Sequence, residues 1–260
     1  MRDALALYAR YLGLSLRAQL QYRAALVMQT IGQLLFTGIE FLAIWALFDR
    51  FGSLRGWSLR EVALMYGMVE VAFALADALA RGFDVFGGMV RSGEFDRLLL
   101  RPRSTVLQLL GHELTIRRIG RLSQGLVIFG WAAQIVDWDL GRAALLVFAL
   151  AGAVCLFLGV EVLAATTAFW TVESLEVWNA FSYGGNYAAQ YPMSIYRSWF
   201  RRFFTVVVPL ACVVYLPALV LLGRSASPLH AVAPLAGVAF LGVSLASWRL
   251  GVRHYTSTGS

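Results

Sequence analysis

The chain has 260 residues, of which 59% are hydrophobic and only 14% are charged. Soluble domains are roughly 45–50% apolar and about 25% charged, so this composition excludes a soluble enzyme, and its high hydrophobicity excludes a disordered chain. The net charge is +7, and all 22 basic residues are arginine. Because a Walker-type nucleotide site needs a lysine, the chain cannot hydrolyse ATP through such a site by itself.

The first 24 residues predict an amphipathic helix that lies in the lipid headgroup region. Leu5, Leu12 and Leu16 follow helical spacing, whereas Arg10 and Arg17 share another face. A cytosolic helix that packs on a partner protein is the alternative. The arginines also interrupt any long apolar run, so we do not expect a signal peptide.

Six apolar segments predict membrane-spanning helices, each of which needs about 20 residues. They are residues 25–48, 62–80, 115–136, 143–170, 203–222 and 231–248. The third segment reaches this length only if Arg117, Arg118 and Arg121 lie at the membrane surface, where we expect them to bind anionic headgroups. We therefore predict an all-α integral membrane protein that forms one transmembrane domain over residues 1–260.

Residues 171–202 form an aromatic-rich segment that is too polar for a clear assignment. It contains Gly184, Gly185 and Pro192, which could break a helix. An interfacial helix, a re-entrant hairpin and a further span all remain open.

The distribution of arginine predicts the orientation in the membrane. With six spans and a cytoplasmic N-terminus, 17 arginines fall on the cytoplasmic side and five on the other. Cytoplasmic loops carry an excess of basic residues, so both termini are expected in the cytoplasm.

The segment between the second and third spans predicts a short helix–turn–helix unit. Val85, Phe86, Met89 and Val90 fall on one face of a helix that Gly93 would end. A solvated linker is the alternative. A linker, however, has no use for four apolar side chains on one face, which would be exposed unless they met lipid or a partner protein.

Four acidic residues, Glu40, Glu70, Asp77 and Glu161, lie within predicted spans. An acid in the bilayer is costly unless it is paired, protonated or hydrated. Their side chains could line a translocation pathway or bind a proton, or they could form hydrogen bonds between helices. We favour the structural interpretation for Glu40 and Asp77 and leave both open for Glu70 and Glu161.

The cysteines and histidines do not predict a disulfide framework or a metal site. Cys155 and Cys212 lie in apolar stretches and are expected to behave as buried hydrophobic side chains. The three histidines have no metal-ligand spacing.

The order of these features resembles the permease subunits of type-2 ATP-binding-cassette (ABC-2) transport systems, in particular a bacterial subgroup. The resemblance covers essentially the whole chain and is carried by several strings in order. They are QYRAALVMQTIGQLLFTGIEFLAIWALFDRFGSLRGWSL, RSGEFDRLLLRPRSTVLQLLG, RRIGRLSQG, FWTVESLEVWNAFSYGG, YPMSIYRSWFRRFFTVVVPLACVVYLPALVLLG and RLGVRHYTSTGS.

This resemblance implies a subunit of an exporter in the bacterial inner membrane, which would form the pathway with a second permease, either a copy of itself or a related chain. Separate ATPase subunits would bind ATP and magnesium, so no cofactor, no catalytic residue and no nucleic acid partner are expected for this chain. The segment 84–97 resembles the family's coupling helix, which docks on the ATPase. The implied docking positions are Val85, Phe86, Met89, Val90, Arg91, Glu94, Asp96 and Arg97.

Three other functions remain as alternatives. An ion-coupled secondary transporter could use the intramembrane acids, although no internal repeat of the kind that such carriers often have is evident. A membrane enzyme is disfavoured because HExxH and GxSxG motifs are absent from the sequence. A scaffold that only anchors the ATPase would have the same sequence features as a permease.

Overall fold

The computed structural model describes residues 23–112, 119–171 and 175–256, together with Gly13 and Gln21. Within these ranges the chain is helical, and its only β-type pairing is an isolated bridge between Leu54 and Trp57. The predicted N-terminal amphipathic helix lies almost wholly outside the described residues.

Twelve α-helices are described, and we number them in chain order. They are α1 (Arg23–Phe51), α2 (Leu59–Asp84), α3 (Phe86–Arg91), α4 (Glu94–Leu99), α5 (Thr105–Leu110), α6 (Ile119–Ala132), α7 (Leu140–Thr167), α8 (Leu175–Ala189), α9 (Ser198–Val206), α10 (Leu216–Leu221), α11 (Pro228–Val232) and α12 (Leu235–His254). Two 3₁₀ turns (Ala133–Ile135 and Met193–Ile195) and a π-helical turn (Ala211–Tyr215) connect some of them.

Local side-chain bonds determine where the two longest buried helices begin. Ser58 and Glu61 form a capping box at the start of α2, in which the Ser58 backbone N–H donates to Glu61 Oε2 at 2.8 Å. Asp139 caps α7 by accepting the backbone N–H of Arg142 at 2.7 Å. Each helix thus starts where its sequence satisfies the free backbone N–H groups.

Four helical stretches in the described ranges are long and apolar enough to cross a membrane. They are Ala24–Phe51, Leu59–Arg91, Leu140–Thr167 and Pro228–His254. Ser198–Val206 and Ala211–Leu221 qualify only as a pair, and a bend of 82° separates them. The described chain therefore offers four such helices, or five if the bent pair counts as one.

The helices form a bundle with two distinguishable ends. We call the end made by residues 52–58, 133–139, 190–197 and 222–227 the short-loop end, and the end made by 85–112, 168–171 and 251–256 the insert end. Helix α2 is the central helix, because most of its apolar stretch is buried against α6, α7 and α8.

Helix α8 runs antiparallel to α2, from the insert end towards the short-loop end. The ring of Tyr183 packs on that of Phe73, in the second half of α2, at 5.6 Å. Further along the chain, Ser194 accepts a hydrogen bond from Trp57 Nε1 at 3.1 Å, just before α2 begins. The polar segment whose role the sequence leaves open thus traverses most of the bundle.

The segment from α9 to α10 enters the bundle and returns to the same end. Ser194 before it and Arg224 after it both contact Trp57, and the Arg224 guanidinium lies 4.1 Å from the indole centroid. The sequence predicts a span over 203–222, and the structure instead bends this segment by 82° and brings both of its flanks to the short-loop end. The chain reverses just before Pro209, which has no N–H to continue the helical hydrogen bonding.

Helices α7 and α12 cross at a close backbone contact. A Cβ atom added to Gly237 would lie 2.0 Å from the carbonyl oxygen of Gly152, and one added to Gly152 would lie 2.6 Å from that of Pro234. Neither position can hold a side chain without separating the helices. Small residues at a helix crossing are typical of packing within membranes.

Candidate functional site

Glu70 lies at the centre of a cluster of charged and amide side chains inside the bundle. Arg121 Nε on α6 approaches Glu70 Oε2 to 2.7 Å, and both side chains are at most 3% exposed. Asn186 Nδ2 on α8 and Gln190 Nε2, directly after the last residue of α8, donate to Glu70 Oε1 at 3.2 and 3.0 Å. We call these four residues the intramembrane polar cluster. It joins α2, α6 and α8.

The position of Arg121 corrects its predicted role as a headgroup anchor. The side chain points into the bundle, and its guanidinium carbon lies 4.9 Å from the centroid of the Phe73 ring. Gly125, one turn later on α6, permits this approach, because a Cβ there would come within 2.9 Å of Glu70 Cβ. A buried carboxylate needs a countercharge, and for Glu70 on α2 that countercharge comes from a different helix, α6.

A second set of hydrogen bonds ties α1 to the same region. Tyr66 donates its hydroxyl to the carbonyl oxygen of Thr37 at 3.3 Å and accepts Gln124 Nε2 at 3.4 Å. The Thr37 hydroxyl also donates to the side-chain oxygen of Gln124. These bonds link α1, α2 and α6 around one polar layer.

The four intramembrane acids are in different environments. Glu40 Oε1 accepts the hydroxyl of Tyr187 at 2.7 Å, one residue from Asn186, so Glu40 and Glu70 bind neighbouring positions of α8. Asp77 and Glu161 are half-buried, and each interacts with another group. Glu70 alone among them is almost completely buried.

At the insert end, α3 and α4 pack against the ends of α7 and α12 through aromatic rings. Phe86 lies 4.9 Å from Phe95 and 4.8 Å from Trp248, and Phe169 lies 5.1 Å from Trp248. The set is Phe83, Phe86, Phe95, Phe169, Trp248 and Tyr255, which we call the insert aromatic cluster. Through this cluster the insert packs directly on this end of the bundle.

Polar contacts hold α5 and the preceding loop to the same end of the bundle. Trp248 Nε1 donates to Thr105 Oγ1 at 3.0 Å. The amide of Gln108 donates to the carbonyl oxygens of Leu98 and Arg103 at 3.1 and 3.2 Å, which fixes the loop between α4 and α5.

A family model described as "ABC-2 family transporter protein" matches residues 34–259. The chain belongs to this family. The match includes both the intramembrane polar cluster and the insert. No curated protein and no solved structure gives a significant match. An ABC-2 permease is the membrane component of an ABC-type system and not its ATPase.

In this ABC-2 permease, the apolar face of the insert is used inside the chain. Phe86, Met89 and Val90 are buried, and Val85 is half-buried. This finding corrects the argument that the face needs lipid or a partner protein to cover it. The side chains of α7, α12 and the C-terminal segment cover it instead.

Three of the predicted docking residues, Arg91, Glu94 and Arg97, are exposed. Asp96 is half-buried beside Tyr255, and burial together with the Asp96 charge raises the pKa of the Tyr255 phenol. The exposed charges of the insert, and not its apolar face, are thus accessible to another protein.

Sequence reasoning missed Asn186, Gln190 and Gln124 as members of the polar layer. Arg121 and Gln124 are three residues apart on one face of α6, and Gln190 follows Asn186 by four residues, directly after the end of α8. Polar residues at helical spacing inside an apolar segment are a signal that could have identified them. Their pairing with Glu70 and Tyr66 could not be read from spacing.

Proposed function

We propose that this ABC-2 permease is one half of the membrane pathway of an exporter that is powered by separate ATPase subunits. A second permease, either a copy or a related chain, would complete the pathway, and the ATPases would bind ATP and magnesium. The proposal rests on the structure of the insert. Its charged side chains are exposed at one end of the bundle, and its aromatic rings pack on α7 and α12.

We assign six crossings, made by α1, α2, α6, α7, α8 and α12, with the segment from α9 to α10 as a re-entrant hairpin. In this assignment Arg197, Arg201 and Arg202 move to the short-loop end. With Arg121 inside the bundle, the arginine distribution changes from 17 against five to 13 against eight and still favours a cytoplasmic insert end. Both termini would then be cytoplasmic, in the inner membrane of a bacterium.

The insert would transmit the power stroke as a rigid lever. ATPase closure would push on Arg91, Glu94 and Arg97, and the insert aromatic cluster would carry the displacement to the ends of α7 and α12. Packed interfaces of this kind move as bodies and not by continuous deformation. The bundle would thereby alternate between two access states.

The second permease would pack on the exposed face of the bundle that α1 and α8 form. Tyr183 and Tyr187 on α8 are 37% and 40% exposed, and Glu40 on α1 lies beside Tyr187. Phenol and carboxyl groups on a spanning helix are better accommodated at a protein interface or a hydrated pathway than against lipid. The ion-coupled carrier is less favoured, since Arg121 already neutralises Glu70.

Charge reversal of the insert tests ATPase docking. The double variant Glu94→Arg/Arg97→Glu is expected to lose co-elution with the ATPase in mild detergent, while the permease still elutes as a folded particle. Arg197→Glu, an exposed residue at the short-loop end, serves as the matched control and should retain the ATPase. Undiminished co-elution of the double variant would refute docking through the insert.

A further inference from the structure

A groove between α5 and the last turns of α12 has the features of a binding site. Its volume is about 440 Å³. Val106, Leu245 and Val252 form an apolar floor, and Ser104, Arg249 and Arg253 form a polar rim. The groove lies at the insert end, outside the intramembrane polar cluster.

The rim carries positive charge that no described residue of this chain neutralises. Arg249 and Arg253 are four residues apart and so share one face of α12, and both are exposed. Within the described ranges, neither forms an ion pair, and none of the groove-lining residues is acidic. Arg101 and Arg103, exposed in the adjoining loop, add to the positive field.

The position of the groove relates it to the membrane surface. Its arginines lie in the last turns of a helix that is long and apolar enough to cross a membrane, and Leu250 between them is exposed. Basic pockets beside spanning helices on the cytoplasmic side bind anionic headgroups. An apolar floor next to the charges fits an acyl chain, which a free phosphate ion lacks.

We propose that this groove binds an anionic phospholipid, with its phosphate between Arg249 and Arg253 and the start of an acyl chain along Val106, Leu245 and Val252. Such a lipid would fill the groove and contact both α5 and α12. It would therefore stabilise the attachment of the insert to the bundle.

The test compares lipid retention in purified permease by native mass spectrometry, with phosphatidylglycerol and phosphatidylcholine as probes. The wild type should retain phosphatidylglycerol preferentially, and Arg249→Gln/Arg253→Gln should reduce that retention roughly tenfold. Arg201→Gln/Arg202→Gln removes two exposed arginines from α9 and should leave retention unchanged. Val252→Trp, which fills the floor and keeps both charges, should also lower retention.

Several results would overturn the proposal. One is equal retention of the two lipids by the wild type, and another is an equal loss in both double-arginine variants. Displacement of the lipid by excess inorganic phosphate alone would identify a simple anion site. If Arg249→Gln/Arg253→Gln lost the ATPase but kept phosphatidylglycerol, the groove would be a protein-docking surface.

Discussion

At the residue scale, the contact between Glu70 and Arg121 has the greatest consequence for the bundle. Both side chains are almost fully buried, and Asn186 and Gln190 occupy the other carboxylate oxygen. A buried pair need not stabilise a protein relative to apolar residues, but removal of one partner leaves an uncompensated charge. We therefore interpret Glu70 as a residue that positions α6 and α8, and not as a free acid of the pathway.

A double-mutant cycle tests this interpretation. Glu70→Gln and Arg121→Gln are each expected to destabilise the permease by about 3–5 kcal/mol, and the double variant by much less than the sum. Denaturant unfolding in detergent micelles measures these free energies. Asp137→Asn removes a fully exposed charge and should have no measurable effect. Additive losses would show that the two residues act independently.

At the scale of elements, hydropathy suggests that the apolar 203–222 segment traverses the bundle and leaves the role of the polar α8 open. In the structure, α8 traverses the bundle and the segment from α9 to α10 turns back. Helix α8 buries Ser182 and Asn186, and the Asn186 amide binds an acid on α2. It can therefore traverse the bundle without a long apolar stretch, because its polar face meets protein and not lipid. The apolar 203–222 segment reverses direction instead, and Ser194 before it and Arg224 after it both contact Trp57.

Substitution at the α7–α12 crossing tests the packing of the last helix. Gly237→Leu is expected to destabilise the permease by about 1–3 kcal/mol or more, since its side chain has no space against Gly152. Gly242→Leu on the same helix faces open space and should be neutral or slightly stabilising. Thermal unfolding of both variants in detergent provides the comparison. Similar melting temperatures would contradict close packing at this crossing.

At the scale of the whole molecule, the insert and the bundle share one packed aromatic cluster. Phe95 is fully buried between Phe86, Phe169 and Tyr255, so we expect a displacement of the insert to displace the ends of α7 and α12 as well. In the function that we propose, the insert would have two tasks. Its exposed charges would recognise the ATPase, and its buried rings would transmit the motion.

Phe95→Ala should separate these tasks. Loss of the ring costs about 3–5 kcal/mol locally, so the ATPase should still co-elute while stimulation of its activity by the permease is lost. Leu100→Ala, at a side chain that is 85% exposed on the same insert, should leave stimulation intact. ATP hydrolysis by the reconstituted complex is the measurement. Normal stimulation in Phe95→Ala would argue against the cluster as the transmission path.

Cysteine labelling in intact cells tests the six-crossing assignment. In a background with Cys155 and Cys212 replaced by alanine, Ser53→Cys and Ser198→Cys should react with an impermeant thiol reagent, because Ser53 lies at the short-loop end and Ser198 directly follows its 190–197 segment. Ser92→Cys, at the insert end, should react only after the membrane is permeabilised. All three positions are exposed. Labelling of Ser198→Cys only after permeabilisation would show that α8 does not cross the membrane.

Composition and residue order alone determined that the chain is an all-helical membrane protein with a helical insert between its second and third predicted spans. These features depend on local hydrophobicity and periodicity, which each segment carries by itself. Only the tertiary structure decided that Arg121 faces Glu70, that α8 traverses the bundle and that Phe86, Met89 and Val90 are covered by this chain. Each of these outcomes depends on which helix lies beside a residue, and pairing between segments more than 50 residues apart leaves no local pattern in the sequence.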